Sequence, residues 1–388
     1  MVWNIENKNI VDFLKKNVEL KTPFVVVDLN VVKEKYMEFR KSFDYSKVFY
    51  AVKANPAKEI ILLLNDVGAN FDVASIEEVN LCLELGVSPE KISFGTTIKK
   101  SYLIKEAFEK KINIFAFDSE EELKKLAINA PGSKVYCRLL LDSSENADWP
   151  LSRKFGCDVD MAVDLLSKAN EMGLNAYGVS FHTGSQQFYL PAWEEGISKS
   201  KYVFSELKKQ NINLKMINMG GGFPAYGYIK NPPEISQYKQ TIEESLEKHF
   251  GNEKLDIFFE PGRFIVGDAG VIKSEVVLVS KKNVNDDKKW LYIDIGAFGG
   301  LAETIGESIK YNIVTNFETN EKTEKFAIAG PTCDGADILY EKNLYSFPSK
   351  IASGDFVYLI STGAYTTSYS AVCFNGFLPL KDYFIPLK

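Results

Sequence analysis

The chain has 388 residues, which is too long for one ordinary core and is typical of two domains. Its formal net charge of −6 argues against a nucleic-acid partner and suits a cationic substrate. The five cysteines include no CxxC pair, so we expect no metal site and no disulfide framework, and free thiols suit a reducing cytoplasm. The N-terminal residues 1–6 lack a signal-peptide pattern, and no apolar run is long enough to span a membrane.

Predicted strands and helices alternate over the first two thirds of the chain. A strand rich in β-branched residues at 23–28 comes first, followed by a helix at 31–42. Eight further apolar strands are predicted at 48–52, 70–74, 91–94, 112–117, 135–141, 176–182, 214–219 and 257–260. The helical patterns between them favour a closed parallel barrel, the (β/α)8 TIM-like architecture, over an open sheet.

The character of the sequence changes after residue 263. Residues 264–388 are rich in Val, Ile, Tyr and Phe and contain few helical windows, so we predict a mainly antiparallel β domain. The predicted organisation is a barrel over 29–262 and a C-terminal β domain over 263–388, completed by a strand from 1–28.

One lysine stands directly after the strand at 48–52. Burial of an unpaired ammonium is costly, so Lys53 is expected to be bonded to something or to change its protonation state. A lysine at a strand end is well placed to form a Schiff base with an aldehyde cofactor. The alternative is a lysine that simply reaches solvent.

Other polar residues lie within barrel strands or at their C-terminal ends, where barrel enzymes carry their catalytic groups. Asp72 and Arg138 lie within predicted strands, and His182 and Glu260 end two others. We predict that His182, one of two histidines, lies flat over a planar cofactor, although an ordinary buried histidine is the alternative. Glu260 would keep a pyridine nitrogen protonated, unless it is a carboxylate in solvent.

Glycines and an arginine indicate a phosphate site. The triple glycine at 220–222 follows a strand and leaves backbone N–H groups uncovered, which suits a phosphate. Arg263 offers a planar fork for phosphate or carboxylate. Glycine-rich turns are common, so we predict a phosphate site at this turn only because it lies opposite Lys53. The turns at 330–337 and 361–365, read alone, are typical of ordinary loops.

Taken together, six motifs resemble the ornithine decarboxylase branch of the pyridoxal-phosphate decarboxylases, which have the fold type III, or alanine-racemase-type, fold. They occur in the family's order, at 50–55 (YAVKAN), 180–185 (SFHTGS), 220–224 (GGGFP), 260–263 (EPGR), 330–334 (GPTCD) and 363–365 (GAY). The stretches 148–156 and 298–304 are similar to bacterial members.

The resemblance implies pyridoxal 5'-phosphate (PLP) as cofactor and a homodimer with two active sites across its interface. It implies that Lys53 holds PLP, that His182 stacks on its ring and that Glu260 pairs with its nitrogen. Asp72 and Arg138 would support the polar edge of the cofactor. It implies that the phosphate is held by Ser185, Gly222, Arg263 and Tyr365. The further cofactor contacts that it implies are Gly221 and Gly262.

The resemblance also implies a substrate site. Cys333 of the partner subunit would protonate the carbanion left after carbon dioxide departs, and Asp334 would touch the distal amine of the substrate. Glu307 stands where eukaryotic members carry an aspartate. Its side chain is one methylene longer, which favours ornithine or something shorter over lysine. The alternative is that Glu307 lies on a solvated helical turn and selects nothing.

The function that follows is decarboxylation of L-ornithine to putrescine in cytoplasmic polyamine biosynthesis. Lysine or dual lysine/ornithine decarboxylation is the main alternative, because one methylene is worth only ~1–3 kcal/mol. Diaminopimelate decarboxylases place a glutamate after the cysteine, where this chain has Asp334. An alanine racemase would present an arginine instead of Glu260. A non-catalytic, regulator-binding relative is expected to lose Lys53 or Cys333.

Overall fold

The computed structural model describes residues 4–150, 154–318 and 321–387. Residues 1–3, which belong to the segment without a signal-peptide pattern, lie outside this part, as do residues 151–153 of the bacterial-type stretch. Within the described ranges, no helix is both long and apolar enough to cross a bilayer.

The chain forms two compact units. One comprises Lys35–Pro224 and Pro232–Gly262, and the other comprises Met1–Glu34, Ala225–Asn231 and Arg263–Lys388. Each unit has its own sheet, so the two are described separately.

The N-terminal elements are the helix α1 (Lys8–Lys16), the strand β1 (Phe24–Asp28) and the helix α2 (Leu29–Ser42), which leads into the barrel unit. In that unit eight parallel strands close on themselves in chain order, which confirms the predicted (β/α)8 barrel. The strands are β2 (Lys47–Ala51), β3 (Asn70–Val73), β4 (Ile92–Phe94), β5 (Ile114–Phe117), β6 (Lys134–Arg138), β7 (Asn175–Ser180), β8 (Met216–Asn218) and β9 (Asp256–Phe259). The helices between them are α3 (Lys58–Asp66), α4 (Ile76–Glu84), α5 (Ser101–Glu109), α6 (Glu120–Asn129), α7 (Val159–Glu171), α8 (Pro191–Lys209) and α9 (Ile235–Phe250).

Large side chains fill the barrel. A buried cluster joins residues of six strands, and within it the rings of Phe49 and Phe258 lie 4.7 Å apart between centroids. A filled interior is a packed core and leaves the strand ends as the place for functional groups.

Two barrel strands end at least two residues earlier than the sequence predicts. The predicted strand 135–141 ends at Arg138, and the predicted strand 176–182 ends at Ser180, so His182 lies two residues beyond it. The reason is that Leu139 and Phe181 stay buried although they have left the strands. Hydrophobicity therefore marks the burial of these residues and not the end of the hydrogen-bonded ladder.

The second unit contains the short helix α10 (Arg263–Val266) and a mainly antiparallel sheet, as predicted. Its later strands are β10 (Gly270–Ser280), β11 (Lys289–Ile293), β12 (Ile313–Thr315), β13 (Thr323–Ala329), β14 (Ile338–Pro348), β15 (Phe356–Ile360) and β16 (Lys381–Ile385). The order along the sheet is β12-β15-β10-β11-β13-β14. Strand β1 pairs antiparallel with β10 and parallel with β16, and α1 covers this part of the sheet with a buried apolar cluster.

Two short segments depart from the predicted range 29–262. Residues 29–34 and 225–231 belong to the unit that carries the β sheet. The backbone N–H groups of Tyr226 and Gly227 donate to the carboxylate of Asp268, at distances of 2.9 to 3.1 Å. These bonds join residues some forty positions apart, so no local sequence pattern predicts them.

Candidate active site

Lys53 lies in the helical turn Val52–Ala54 that follows β2. Its Nζ lies 3.9 Å from Oδ2 of Asp72, and the side chains are 45% and 4% exposed, respectively. Oδ1 of Asp72 is buried and accepts no hydrogen bond from the residues that the structure describes. Burial raises the pKa of Asp72 well above its usual range, and the nearby Glu260 raises it further. The barrel end thus holds a partly accessible amine near Oδ2 of a buried carboxyl group, whose Oδ1 accepts no hydrogen bond from the described residues.

The turn after β8 is built for glycine. Gly220 and Gly222 have φ angles of +63° and +103°, which residues with side chains adopt at a cost. A Cβ on Gly220 would lie 2.4 Å from the carbonyl oxygen of Phe181, and one on Gly222 would lie 2.3 Å from Oγ1 of Thr183. The turn therefore packs directly on the segment after β7 and has no room for side chains at these two positions.

Glu260 follows β9 and is bonded to this turn. Its Oε1 accepts a hydrogen bond from Nδ2 of Asn218 at 2.5 Å. Its backbone N–H donates to the carbonyl of Gly220 at 2.7 Å, and the N–H of Gly220 donates to Oδ1 of Asn218 at 2.9 Å. The carboxylate and the glycine turn are therefore parts of one bonded group.

His182 carries a neutral ring. Its Nδ1 accepts a hydrogen bond from the N–H of Gly184 at 3.0 Å, so the ring proton sits on Nε2. Burial lowers the pKa of His182 well below its usual value, and the cations of Arg138 and Lys53 lower it further. A half-buried, neutral, flat ring in this place suits contact with a planar molecule.

Arg138 and Ser185 flank the same barrel end. Arg138 is the last residue of β6, its guanidinium lies 5.4 Å from the ring centroid of Phe155, and burial lowers its pKa. Ser185 exchanges two backbone hydrogen bonds with Trp149, of 3.0 and 3.1 Å. The long segment after β6 thereby folds back beside the segment after β7.

In the second unit, Arg263 lies in a buried polar group. Its Nη2 donates to Oε1 of Glu303 at 2.5 Å, and its Nη1 donates to the hydroxyl of Tyr228 at 2.9 Å. The ring centroid of Tyr365 lies 4.9 Å from its guanidinium carbon. The structure therefore brings together Arg263 and Tyr365, to which the resemblance assigns the same ligand group.

Cys333 and Asp334 are exposed on a loop whose base is held firmly. The buried carboxylate of Asp337 accepts hydrogen bonds from the backbone N–H and hydroxyl of Thr332, at 3.0 and 2.7 Å. It also accepts one from the N–H of Ala297 at 2.8 Å. The N–H of Cys333 donates to Oδ1 of Asn375 at 3.0 Å, so the thiol stands on an ordered loop.

The structure gives Glu307 a local role that differs from the predicted one. Its two carboxylate oxygens accept four hydrogen bonds of 2.5 to 3.0 Å from β14, three from the backbone of residues 341–343 and one from the Asn343 side chain. Burial would raise the pKa of Glu307, but these bonds outweigh it and the pKa is lowered. The geometry favours the alternative that Glu307 is a structural residue.

Two residues near the site were not predicted. Asn218 ends β8 in an apolar context and is detectable only as a polar residue at a strand end. Glu78 lies near Lys53, which lowers its pKa, while burial raises it above its usual value overall. Its Oε2 accepts a hydrogen bond from the N–H of Ala74 at 2.7 Å. Because Ser75 caps α4, Glu78 looks in the sequence like part of an ordinary helix start.

Comparison with known proteins identifies the family. Residues 29–267, more than half of the chain, match the family model described as pyridoxal-dependent decarboxylase, pyridoxal binding domain. The chain belongs to the pyridoxal-dependent decarboxylases. It is accordingly a PLP-dependent amino-acid decarboxylase, and the resemblance drawn from the six motifs is confirmed.

Relatives of this decarboxylase match nearly its whole length. The lysine/ornithine decarboxylase of Selenomonas ruminantium is 32% identical over 356 residues, covering 92% of this chain and 88% of the relative. The ornithine decarboxylase of Schizosaccharomyces pombe is 32% identical over 364 residues, with 91% and 81% covered. A crystal structure of lysine decarboxylase from Selenomonas ruminantium has a TM-score of 0.85 at 30% identity and covers 99% of this chain and 97% of that chain.

The residues of the decarboxylase barrel fit PLP. The cofactor's aldehyde needs an amine, and Lys53 supplies one that is partly accessible. Its ring nitrogen needs an acid, and its phosphate needs N–H groups on an uncovered backbone. Glu260 and the glycine turn offer these groups on one bonded unit.

Proposed function

We propose that this decarboxylase converts L-ornithine to putrescine with PLP held on Lys53. The observation that carries the proposal is the barrel end itself. The Lys53 amine lies 3.9 Å from Oδ2 of Asp72, whose Oδ1 accepts no hydrogen bond from the described residues, and Glu260 is bonded to the glycine turn. Relatives named ornithine decarboxylase support the choice of substrate. The residue after Cys333 also supports it, because Asp334 stands where diaminopimelate decarboxylases place a glutamate.

The roles of the barrel residues follow from their chemistry. When bound, the cofactor supplies an electron sink for the pair released as carbon dioxide leaves. Lys53 holds the cofactor at its aldehyde carbon. Glu260 holds the proton on the ring nitrogen, which deepens the sink. His182, because it is neutral, covers one ring face without adding charge, while Asp72 and Arg138 hold the polar edge.

The phosphate contacts are proposed residue by residue. Ser185 follows β7 and Gly222 follows β8. The hydroxyl of Ser185 would donate to the phosphate, and the backbone N–H groups of glycine turns bind anions. Arg263 and Tyr365 lie together in the second unit. Arg263, whose guanidinium already donates to Glu303 and Tyr228, would add positive charge, and Tyr365 would add a phenol. Gly221 and Gly262, the remaining cofactor-binding candidates, allow the backbone to approach closely.

We further propose a homodimer with shared sites. In it, Cys333 of the partner subunit returns a proton to the α-carbon, and Asp334 of the partner subunit binds the distal ammonium. The surface around that loop supports this, because Val372 and Leu378 are 83% and 75% exposed. A cavity of about 390 Å³ in the same unit is lined partly by Thr332, Phe374 and residues 376–379. Apolar exposure of this kind is typical of an interface.

Dual lysine/ornithine decarboxylation is the second candidate. The relative from Selenomonas ruminantium carries that name, and one methylene discriminates by only ~1–3 kcal/mol. The four hydrogen bonds on Glu307 remove the argument that its longer side chain shortens the pocket. Selection between the two substrates then rests on Asp334 and the pocket walls.

Steady-state rates with ornithine, lysine and 2,4-diaminobutyrate, measured side by side on the PLP-loaded protein, test the proposal. Ornithine is expected to give the highest kcat/KM, and the Lys53→Ala variant should release no carbon dioxide from any of them. Equal values for lysine and ornithine would establish the dual activity. No decarboxylation of the three by the loaded wild-type protein would refute both candidates.

A further inference from the structure

Three hydrogen bonds form a closed ring at the end of the barrel. Asn218 donates to Glu260, the N–H of Glu260 donates to the carbonyl of Gly220, and the N–H of Gly220 donates to Asn218. Asn218 is only 1% exposed, so water could not replace either partner if it moved away, and the amide would be left unsatisfied. The ring joins the last residue of β8, the turn that follows it and the residue after β9.

The orientation of the Asn218 amide follows from its partners. The backbone N–H of Gly220 can only donate, so the atom that meets it at 2.9 Å is the oxygen Oδ1. The NH2 group is then left to face Oε1 of Glu260. One side chain thus supplies an acceptor to the glycine turn and a donor to the carboxylate.

We propose that Asn218 is a positioning residue that fixes the separation of two cofactor contacts, the Glu260 carboxylate at the ring nitrogen and the glycine turn at the phosphate. This inference rests on the function proposed above for Glu260 and Gly222. Asn218 itself needs no contact with the cofactor. A Cβ on Gly221 would lie 2.7 Å from the carbonyl oxygen of Glu260, so the two contacts are packed together as well as bonded.

An amide performs this task where an acid would not. Aspartate has nearly the same shape and would still accept from Gly220, but its second oxygen would face the Glu260 carboxylate. Two carboxylates at hydrogen-bond distance repel each other or share a proton. Asn218→Asp therefore separates the two functions of the residue, because it keeps the acceptor and loses the donor. Asn218→Ala removes both.

The test loads each protein with PLP labelled with ¹⁵N in its ring and reads the ¹⁵N chemical shift, which reports protonation of that nitrogen. Dissociation constants for PLP and for pyridoxal, which lacks the phosphate, are measured in parallel. Asn218→Ala should weaken PLP binding by about 10- to 100-fold, as expected for a lost hydrogen bond to a charged group, and should reduce the preference for PLP over pyridoxal. Asn218→Asp should move the ¹⁵N shift and keep that preference.

Two further variants make the result decisive. Glu260→Gln should move the ¹⁵N shift in the same direction, and adding Asn218→Ala to it should move that shift no further, because at the ring nitrogen both changes act through the Glu260 carboxylate. Tyr177→Phe is the matched control. It removes a 2.6 Å bond to Asp256 that joins β7 and β9 on either side of β8, and it should leave the ¹⁵N shift and the PLP preference unchanged.

The two ways of failing differ. If Glu260→Gln moves the ¹⁵N shift and neither Asn218 variant does, the inference about Asn218 is overturned and the role of Glu260 stands. If Glu260→Gln leaves the shift unchanged, the proposed role of Glu260 is refuted, and the inference about Asn218 falls with it.

Discussion

At the scale of single residues, the proposed decarboxylation depends on the charge of Glu260. Glu260→Gln keeps the shape and removes the charge-assisted bond to the ring nitrogen. We expect the variant to bind PLP and to decarboxylate ornithine about 10²-fold more slowly or worse. The measurements are kcat from released carbon dioxide and the absorbance of the bound cofactor. A near-normal kcat would show that the electron sink does not depend on Glu260.

His182 predicts a particular dependence of stability on pH. Because its pKa is lowered in the fold, the unfolded chain takes up a proton below pH ~6.5 that the folded chain does not. The free energy of unfolding should therefore fall as the pH drops below this value, by up to about 1.4 kcal/mol per pH unit for this one group. Above it, His182 is neutral in both states and contributes no slope.

Urea denaturation of the PLP-loaded protein between pH 5 and pH 8 measures this effect. His182→Gln should flatten the acid side of the stability curve. His249→Gln, which changes the only other histidine, is the matched control. If the wild-type protein and His182→Gln lose stability equally between pH 6.5 and pH 5, His182 is not held neutral.

At the scale of elements, Glu307 fastens the turn that carries it to the strand β14. Glu307→Ala removes the acceptor for three backbone N–H groups and for Asn343. We expect a loss of about 1.5–3 kcal/mol of unfolding free energy or more, as for hydrogen bonds to a charged group. The ratio of kcat/KM between lysine and ornithine should stay unchanged in Glu307→Ala and in Glu307→Asp.

Thermal or urea unfolding and the two kcat/KM values check this together. Lys288→Ala, which breaks the exposed ion pair with Glu341 on the same strand, serves as the control and should cost ~1 kcal/mol or less. A ratio that rises strongly in Glu307→Asp without a loss of stability would restore Glu307 as a substrate contact.

The elements themselves were largely predictable from the sequence. Eight apolar strands separated by helical patterns favour a (β/α)8 barrel. Such a barrel brings the C-terminal ends of its strands together, and the catalytic candidates lie near those ends. The ends of the strands were not predictable. Leu139 and Phe181, the first residues after two of the strands, are apolar and buried like residues within a strand. Asn218 was missed because its partners, Gly220 and Glu260, are defined by bonds between different strands.

At the scale of the whole molecule, the shared site predicts recovery of activity from two inactive proteins. Lys53→Ala lacks the cofactor amine and Cys333→Ala lacks the proton donor. A mixed dimer would hold one site with both defects and one with neither. After full subunit exchange we expect about a quarter of the wild-type rate, since half of the dimers are mixed and each has one intact site.

The rate of ornithine decarboxylation before and after exchange is the measurement, with exchange verified by native mass spectrometry of differently tagged chains. Mixing Lys53→Ala with Glu260→Gln is the control. Both defects lie in the barrel unit, so every site of a mixed dimer has a defective barrel, whichever subunit supplies the loop of Cys333. The first mixture should regain activity and the control mixture should not, because only the first can combine an intact barrel of one subunit with an intact Cys333 loop of the other. Absence of recovery after verified exchange, in the first mixture, would count against shared sites.

The central claim, that Lys53 is the residue that holds PLP, has a direct chemical test. Borohydride reduction of the loaded protein fixes the cofactor on the amine that binds it, and peptide mapping by mass spectrometry locates that amine. Lys99 is the main alternative lysine, because burial lowers its pKa to about 8. Unlike the Nζ of Lys53, however, its Nζ is buried and lies 2.9 Å from Glu122. We expect the cofactor mass on the peptide containing Lys53. In Lys53→Ala this mass should be lost, together with the visible absorbance and the activity. A cofactor mass on Lys99 or any other lysine, with Lys53 unmodified, would contradict it.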